Sequence, residues 1–198
     1  SSSMRVFQKQ MKQLSDEELM KLMTKGNQRA FNEIYQRYSD VLFGYFMKML
    51  ARDKEKCEDM VHDLFSKIIR KPDYFDVNRS FRTWVFSVAC NMCKNEYKRM
   101  SVRKHVSNEF EPTNSIQSDS DTLKKVHESS FSESFHKALN NLDDKHKSVF
   151  SLRHFEGFSM KEIAETLNIN EGTVKSRLFY ATKTLAGALK EFNPIYNQ

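Results

Sequence analysis

The chain has 198 residues, which is enough for one medium domain or two small ones. Charged residues make up 29% of it and it holds only five glycines and three prolines, a composition that favours helices over a β-rich fold. The net charge of +6 is compatible with a polyanionic partner, and no run approaches the roughly 18 apolar residues of a membrane helix, which excludes membrane insertion on this evidence.

The N-terminal residues and the cysteine content indicate a cellular location. Residues 1–3 precede Met4 and are interpreted as an expression-tag remnant, and residues 1–20 are predicted to be this remnant and a lead-in. The start lacks the apolar core of a secretory signal, and three cysteines provide no disulfide framework. We therefore expect a cytoplasmic protein in a reducing compartment.

Residues 21–100 show strong helical periodicity. The first apolar face consists of Phe31, Ile34, Tyr35, Tyr38, Leu42, Tyr45, Phe46 and Met49. The next helix has an apolar side of Met60, Val61, Leu64, Phe65, Ile68 and Ile69, opposite Glu58, Asp59, His62, Asp63 and Ser66. Pro72 interrupts the pattern before a further helix begins at residue 81. The pattern predicts three or four helices and no strand up to about residue 100.

The helix predicted from residue 81 has two contrasting faces. Its core stripe is Phe81, Trp84, Val85, Val88, Ala89, Met92 and Cys93, and its opposite side holds Ser87, Asn91, Lys94 and Lys98. Residues 81–104 contain six basic residues and one acidic residue, a net charge of +5. Basic side chains near aromatic ones suit single-stranded or partly opened nucleic acid, because they neutralise phosphates while bases stack. An ordinary solvated helix face is the alternative.

Two clusters have the residue types of a metal site. Cys90 and Cys93 form a C-x-x-C, but a structural zinc site needs four ligands and the chain has no second such pair. Packing is therefore favoured over zinc or redox chemistry. Asp59, His62 and Asp63 share a helix face, for which a solvated or protein-contacting acidic surface is favoured over a metal enzyme. We expect no metal, no cofactor, no small-molecule substrate and no catalytic activity.

Residues 101–130 differ in character from the sequence on either side. They include "SNEFEPTNSIQSDSDT", which is polar and acidic, lacks an apolar period and contains Pro112. Such a segment buries too little apolar surface to offset the entropy of ordering it. The sequence therefore predicts a flexible linker between two compact domains.

Residues 131–192 have the pattern of a helix-turn-helix domain. Ser159 and Glu162 have capping-box spacing, and "NINEG" predicts a tight turn. The inward positions are Ile163, Ala164 and Leu167 before the turn and Val174, Leu178, Ala181 and Leu185 after it, in a last helix that starts at Thr173. The small Ala164 lies where the two helices must approach each other.

The last helix has a polar and basic outward face near its N-terminal end. The outward residues are Thr173, Lys175, Ser176, Arg177 and Tyr180. Lysine and arginine bind guanine edges or phosphates, and serine and threonine hydroxyls bind either. DNA binding in a major groove is favoured over the alternative, which is a solvated face on an ordinary three-helix bundle.

Three stretches together resemble a known family. "EDMVHDLFSKIIRK", "FRTWVFSVACNMCKNEYKR" and, after a polar linker, "FSMKEIAETLNINEGTVKSRLFYATKTL" resemble in this order an extracytoplasmic-function (group IV) sigma factor of bacterial RNA polymerase. The resemblance covers residues 20–190. It implies an all-α protein with two small helical domains: sigma domain 2 at residues 21–100, and sigma domain 4, the helix-turn-helix domain, at residues 131–192.

The resemblance also implies roles for particular residues. Asp59, Asp63 and Phe65 lie on the helix that in the family docks on the clamp helices of the largest polymerase subunit. The residues implied for the −10 element and its melting are Arg82, Asn91, Lys94, Asn95 and Lys98. Residues 72–80 match the loop that captures an extruded base. The residues implied for the −35 element are Thr173, Lys175, Ser176, Arg177, Phe179 and Tyr180. Core polymerase, promoter DNA and an anti-sigma factor are the implied partners.

The chain departs from the family pattern at a few positions. Family members often have basic residues where this chain has Ser87 and Cys90, and again near Tyr180. The departures concern which promoter sequence is preferred. The alternative function is a stand-alone helix-turn-helix regulator that binds operator DNA, with the first half as a sensor or dimerisation domain. The basic segment at 81–104 and the acidic docking helix argue against this alternative.

Overall fold

The computed structural model of the protein describes residues 2–108 and 126–192. Within these ranges the regular structure is α-helical, with two short 3₁₀ turns at Pro72–Tyr74 and Lys190–Phe192. The helices are α1 (Ser2–Gln13), α2 (Asp16–Thr24), α3 (Gln28–Met49), α4 (Lys54–Arg70), α5 (Phe81–Asn108), α6 (Val126–Asn140), α7 (Asp144–His154), α8 (Met160–Leu167) and α9 (Glu171–Ala188). The all-α prediction is confirmed.

The predicted lead-in at residues 1–20 contains helix α1 and the start of α2. Ser15 caps α2 in a reciprocal capping box with Glu18, and Leu19 and Met20 are fully buried. Arg37 of α3 contacts this segment, because its guanidinium lies 2.9 Å from the Asp16 carboxylate and donates to backbone carbonyls at the end of α1. The first half therefore has five α-helices rather than the three or four that its periodicity predicts.

Helices α3 and α4 follow their predicted apolar faces. Asn27 and Asp53 cap them, each accepting a hydrogen bond from a backbone N–H of the first turn. Phe65 of α4 is buried and packs against Phe31 and Tyr35 of α3, with ring centroids 6.1 Å and 4.8 Å away. Ile69 is an exception to the prediction, because its side chain is 54% exposed at the end of the helix.

Helix α5 is longer than predicted. It continues to Asn108, and α6 begins at Val126, so both helices extend into the range 101–130 that was predicted to be linker. The buried side of α5 includes Phe81, Val85, Ala89 and Cys93, as the predicted stripe requires. The remainder of the predicted linker, residues 109–125, lies outside the described residues.

The second half forms a helix-turn-helix on a small core. Ser159 and Glu162 form the predicted capping box at the start of α8, with both hydrogen bonds at 3.1 Å. Asn168 ends α8 in the left-handed conformation at φ 52°, which reverses the chain tightly, and Asn170 caps α9. The inward positions Ile163, Ala164, Val174, Leu178, Ala181 and Leu185 are all buried.

The two halves pack against each other. α8 lies against α5, and α6 and α7 lie against α3. One continuous cluster of buried side chains includes α2 to α5 together with residues of α7, α8 and α9. Phe86 on α5 contacts Phe158, which precedes α8, with ring centroids 5.1 Å apart at 73°. The periodicity of each half alone did not predict this shared core.

Candidate nucleic-acid interface

The outward face of α5 presents the polar residues predicted for opened DNA. Asn91, Lys94, Asn95 and Lys98 are all exposed. The buried stripe on the other side of the helix fixes their direction, because residues three and four apart along a helix share one face. Amide groups for base edges and ammonium groups for phosphates therefore lie along about two turns of one helix.

Trp84 lies beside this face rather than fully in the core. Its side chain is half-buried between Phe75 and Phe81, with ring centroids 5.3 Å and 5.8 Å away. The periodicity placed Trp84 inside, but one of its edges lines a cleft beside α5. Tryptophan side chains are large and are therefore rarely buried completely.

The loop at 72–80 adds an aromatic residue that the sequence reading did not select. Tyr74 is 69% exposed in the 3₁₀ turn, and the Lys71 ammonium lies 4.8 Å above its ring centroid. The backbone N–H of Asn78 donates to the Asp76 carboxylate in the following turn at 2.9 Å. The sequence could have indicated Tyr74, because it is an aromatic residue in a polar loop next to a basic helix.

Ser87 and Cys90 make local contacts within the first half. The Ser87 hydroxyl donates to the Trp84 carbonyl at 2.6 Å, and Cys90 Sγ lies 3.0 Å from the Tyr45 hydroxyl. Burial raises the pKa of the Cys90 thiol to about 11, and burial also raises the pKa of Cys93. Both thiols are therefore protonated at neutral pH, which favours packing over metal or redox chemistry.

Arg82 has a different environment from the other residues predicted for the −10 element. Its guanidinium donates to the Glu162 carboxylate at 2.8 Å and to the backbone carbonyl of Glu156. It also lies 3.9 Å from the ring centroid of Phe158. All three partners belong to the second half, so in this arrangement Arg82 is not available to a phosphate.

The outward face of α9 has the exposure predicted for a recognition helix. Lys175, Ser176, Phe179 and Tyr180 are exposed, and Phe179 is the more accessible of these two aromatic residues at 63%. Thr173 is half-buried and its backbone N–H and hydroxyl both contact the Asn170 cap. Its hydroxyl therefore helps to form the helix start in this structure. Arg177 is half-buried and lies at the cleft.

The cleft lies between the two halves. It has a volume of about 1270 Å³ and is lined by Asn91 and Lys94 from α5 and by Asn168 and Arg177 from the second half, among others. It brings one predicted −35 residue, Arg177, to the same space as two predicted −10 residues. The remaining −35 residues, on the outward side of α9, do not line it.

Helix α4 presents an acidic face to solvent. Asp59, His62 and Asp63 are exposed, whereas Phe65 is only 3% exposed and belongs to the aromatic cluster with α3. Phe65 thus cannot offer its ring to a partner without unpacking α3 from α4. Ile69 and Tyr35 are the exposed apolar side chains near this face. Within residues 2–108 and 126–192, no three His, Cys, Asp or Glu side chains lie close enough to hold a metal ion together.

Comparison with known proteins defines the class. Residues 34–102 match the family described as Sigma-70 region 2, and residues 132–185 match Sigma-70, region 4. The chain is 31% identical to the ECF RNA polymerase sigma factor SigL of Mycobacterium tuberculosis, over 80% of this chain and 88% of the relative. It is 27% identical to the ECF sigma factor SigW of Bacillus subtilis, over 87% of this chain and 95% of the relative.

Solved structures share the fold. The Bartonella quintana sigma factor RpoE, solved with the anti-sigma factor NepR, is 23% identical and gives a TM-score of 0.63 over 81% of this chain and 96% of that chain. CnrH, solved with the cytosolic domain of CnrY, is also 23% identical and gives a TM-score of 0.65 over 90% of this chain and 99% of that chain.

The chain belongs to the ECF RNA polymerase sigma factors, which direct promoter recognition in transcription initiation. The alternative of a stand-alone operator-binding regulator is not favoured. No helix within the described ranges is long and apolar enough to cross a membrane.

Proposed function

We propose that α5 and α9 read two separate promoter elements when the protein is bound to core RNA polymerase. The observation that carries this proposal is the pair of exposed polar faces, Asn91, Lys94, Asn95 and Lys98 on α5 and Lys175, Ser176, Phe179 and Tyr180 on α9. In this proposal residues 21–100 act as the −10 domain and residues 131–192 as the −35 domain. The described helices of the first half begin before residue 21, so α1 and the start of α2 join its scaffold.

Helix α5 and the loop at 72–80 bind the opened −10 element. Extruding a base from the stack costs a few kcal/mol, and stacking on an aromatic side chain recovers about 1–3 kcal/mol per base. The half-buried Trp84 of α5 and the exposed Tyr74 of the loop supply such surfaces. Asn91 donates and accepts hydrogen bonds at base edges, while Lys94 and Lys98 neutralise phosphates.

Helix α9 binds duplex DNA at the −35 element. The N-terminal turns of a recognition helix enter the major groove, and this is where Lys175 and Ser176 are exposed. Phe179 and Tyr180 follow on the same outward side and offer apolar contact to thymine methyl groups and sugars. Thr173 and Arg177 belong to the same group of residues that bind the −35 element, which is called the reading set below. Arg177 is turned toward the cleft.

Helix α4 docks on core polymerase through its acidic face. Asp59 and Asp63 lie one turn apart and are exposed, so basic side chains on the clamp helices of the largest subunit can pair with both. Ile69, which is 54% exposed, adds an apolar contact at the end of the same helix. Phe65 contributes indirectly, because it holds α4 against α3.

The protein acts without catalysis of its own, in the cytoplasm, and an anti-sigma factor holds it inactive. The relative RpoE was solved with such a factor, which supports this regulation for the present chain. The segment between the two halves serves as a tether. Fixing both DNA-binding halves on one enzyme raises the effective concentration of each at its own promoter element.

Run-off transcription with purified core polymerase tests the proposal. The full chain should direct initiation from a promoter that core polymerase alone ignores. The parallel measurement is a gel shift with the chain and promoter DNA in the absence of polymerase. A strong shift without promoter-dependent transcription would contradict the proposal and support the operator-binding alternative.

A further inference from the structure

Helix α5, which is proposed to bind the −10 element, begins at a residue whose backbone is held by another helix. The Phe81 N–H donates to the Glu17 carboxylate of α2 at 2.9 Å, although the two residues are 64 positions apart. The first backbone N–H groups of a helix have no partner within the helix, so other groups satisfy them. A carboxylate is well suited to this place, because the positive end of the helix dipole also attracts it.

Ser80 makes the local contacts of the same helix start. Its hydroxyl accepts a hydrogen bond from the Thr83 N–H at 3.3 Å. Its carbonyl accepts from the Thr83 hydroxyl at 3.0 Å and from the Trp84 N–H at 3.1 Å. These bonds join neighbouring residues, as in an ordinary N-cap. The bond to Glu17 is different, because it ties the first turn of α5 to α2.

The exposed part of the loop at 72–80 lies between two buried aromatic residues. Residues 76–80 are all exposed, whereas Phe75 and Phe81 on either side are 2% and 0% exposed. Their ring centroids lie 5.3 Å apart, so the loop closes over this ring contact. Helix α2 packs against both the 3₁₀ turn and α5. A shift of the Phe81 backbone relative to α2 therefore moves the end of the loop and the first turn of α5 together.

Helix α2 is a fixed support for the bond to Phe81. Asp16, next to Glu17, accepts hydrogen bonds from the Arg37 guanidinium at 2.9 Å and from the Tyr38 hydroxyl, both on α3. Burial and the bond to Asp16 raise the pKa of Tyr38, so this hydroxyl stays protonated and continues to donate. Glu17 itself is half-buried, which limits competition from water for its carboxylate. The first turn of α2 is thus held by α3 and in turn holds α5.

We propose that Glu17 is a positioning residue for promoter melting, because its hydrogen bond to Phe81 sets the place of the loop at 72–80 and of the first turn of α5. This inference rests on the proposed role of α5 and the loop at the −10 element. Glu17 touches no DNA. It acts through the placement of Tyr74 and Trp84, whose rings receive unstacked bases, and a misplacement of about 1 Å can cost about 100-fold in rate.

Amide hydrogen exchange of the free ¹⁵N-labelled chain tests the hydrogen bond itself. Glu17→Ala removes the acceptor, so the Phe81 N–H should exchange about tenfold faster than in the unchanged chain. Glu17→Gln keeps a carbonyl oxygen that can accept and should retain most of the protection. Glu17→Asp keeps the charge but is one methylene group shorter, so it should also exchange faster, and it tests the bond if the alanine variant does not fold. Unchanged exchange at Phe81 in either folded variant would overturn the anchoring role.

Glu18 offers a matched control in the same turn of α2. Its carboxylate accepts from the Ser15 N–H at 2.8 Å, which is a bond of the same type within the capping box of α2. Glu18→Ala therefore removes an equivalent hydrogen bond without releasing α5, and exchange at Phe81 should be unchanged in this variant. Urea denaturation of both alanine variants checks that each is folded under the assay conditions.

Open-complex formation by the holoenzyme tests the functional consequence. At a promoter that the unchanged holoenzyme opens, Glu17→Ala should slow opening about tenfold, as detected by permanganate, while Glu17→Gln and Glu18→Ala should stay within about threefold of the unchanged rate. Affinity for core polymerase should be the same for all variants, because the acidic face of α4 is unaltered. Equal opening rates for Glu17→Ala and Glu18→Ala, or no recovery with Glu17→Gln, would overturn the positioning role.

Failure of the proposed function and failure of this inference are distinguishable. If the unchanged chain directs neither opening nor run-off transcription, the proposed function is wrong, while exchange at Phe81 still decides whether Glu17 anchors α5. If the unchanged chain is active, and Glu17→Ala exchanges faster at Phe81 yet opens the promoter at the normal rate, the inference alone is wrong.

Discussion

Helices α5 and α9 are the two proposed DNA-reading elements, yet their surroundings differ. On α9 four of the six proposed reading residues are exposed, among them Phe179 at 63% and Tyr180 at 55%. On α5 one reading residue, Arg82, is held by the second half, while Asn91 and Lys94 line a cleft that this half closes from the other side. The recognition helix is accessible in this arrangement, whereas the melting helix is partly covered.

An amphipathic period does not determine whether the polar side of a helix is accessible to a partner. Both helices have a buried stripe and a polar side with lysines and hydrogen-bonding groups. On α5 a further apolar residue, Phe86, lies outside the predicted stripe and packs against Phe158. On α9 the corresponding extra aromatic residues remain in solvent. The contacts of Phe86 with Phe158 and of Arg82 with Glu162 thus accompany the partly covered side of α5.

The largest expected effect comes from removing the aromatic residue that covers α5. Phe158→Ala should lower the free energy of unfolding by about 3–5 kcal/mol, because a fully buried phenylalanine leaves a cavity. Phe179→Ala on α9 is the matched control and should change it by no more than about 0.5 kcal/mol, since this side chain is mostly exposed. Urea denaturation followed by circular dichroism measures both. Similar losses for the two variants would contradict the contrast between the helices.

The second prediction concerns the thiol on the covered helix. Burial raises the pKa of Cys90 to about 11 from the ordinary value of 9.0, so its thiolate fraction at pH 8 is about 100-fold smaller than in the unfolded chain. Alkylation of Cys90 by iodoacetamide, followed by mass spectrometry, should therefore be at least tenfold slower in native protein than in urea. Equal rates would revive a redox role for the C-x-x-C.

The same raised pKa has a consequence for stability. The folded state keeps the Cys90 thiol protonated over a range in which the unfolded chain loses the proton. Its contribution to stability is therefore complete below pH 9 and is lost as the pH rises from 9 to about 11. Urea midpoints measured across this range should fall, and a Cys90→Ala variant should show a shallower decline.

The third prediction tests the accessible helix. Lys175→Ala should weaken holoenzyme binding to the upstream promoter element by about 1–3 kcal/mol if the ammonium reads a base, and should leave downstream melting intact. Lys183→Ala, an exposed lysine two turns further along α9, is the control and should have little effect. Footprinting of the upstream element measures both variants. Unchanged upstream protection would remove Lys175 from the reading set.

The smallest expected effect concerns the melting face of α5. Asn91→Ala should slow open-complex formation about tenfold, which is about 1.4 kcal/mol, because one set of base-edge hydrogen bonds is lost. Affinity for core polymerase should not change. Permanganate reactivity of unstacked thymines reports melting, and Asn32→Ala at an exposed position of α3 is the control. Normal melting by the Asn91 variant would contradict the assignment.

The sequence alone predicted much of the local structure and the class of protein. Side-chain period and capping chemistry are local, so the faces of α3 and α9 and the capping box at Ser159 were predictable from neighbouring residues. The order of the three motifs indicated a sigma factor, and the family matches confirm this. The residue roles at the DNA and polymerase surfaces remain predictions.

Only the tertiary structure decided which of these surfaces are covered. Arg82 had a plausible place near the polar side of its helix, and it takes a different one because of a partner distant in sequence. Arg82 pairs with Glu162, 80 positions later in the chain, and no local period contains such a contact. Periodicity reports which side of a helix is apolar, whereas the availability of its polar side depends on how separate segments pack together.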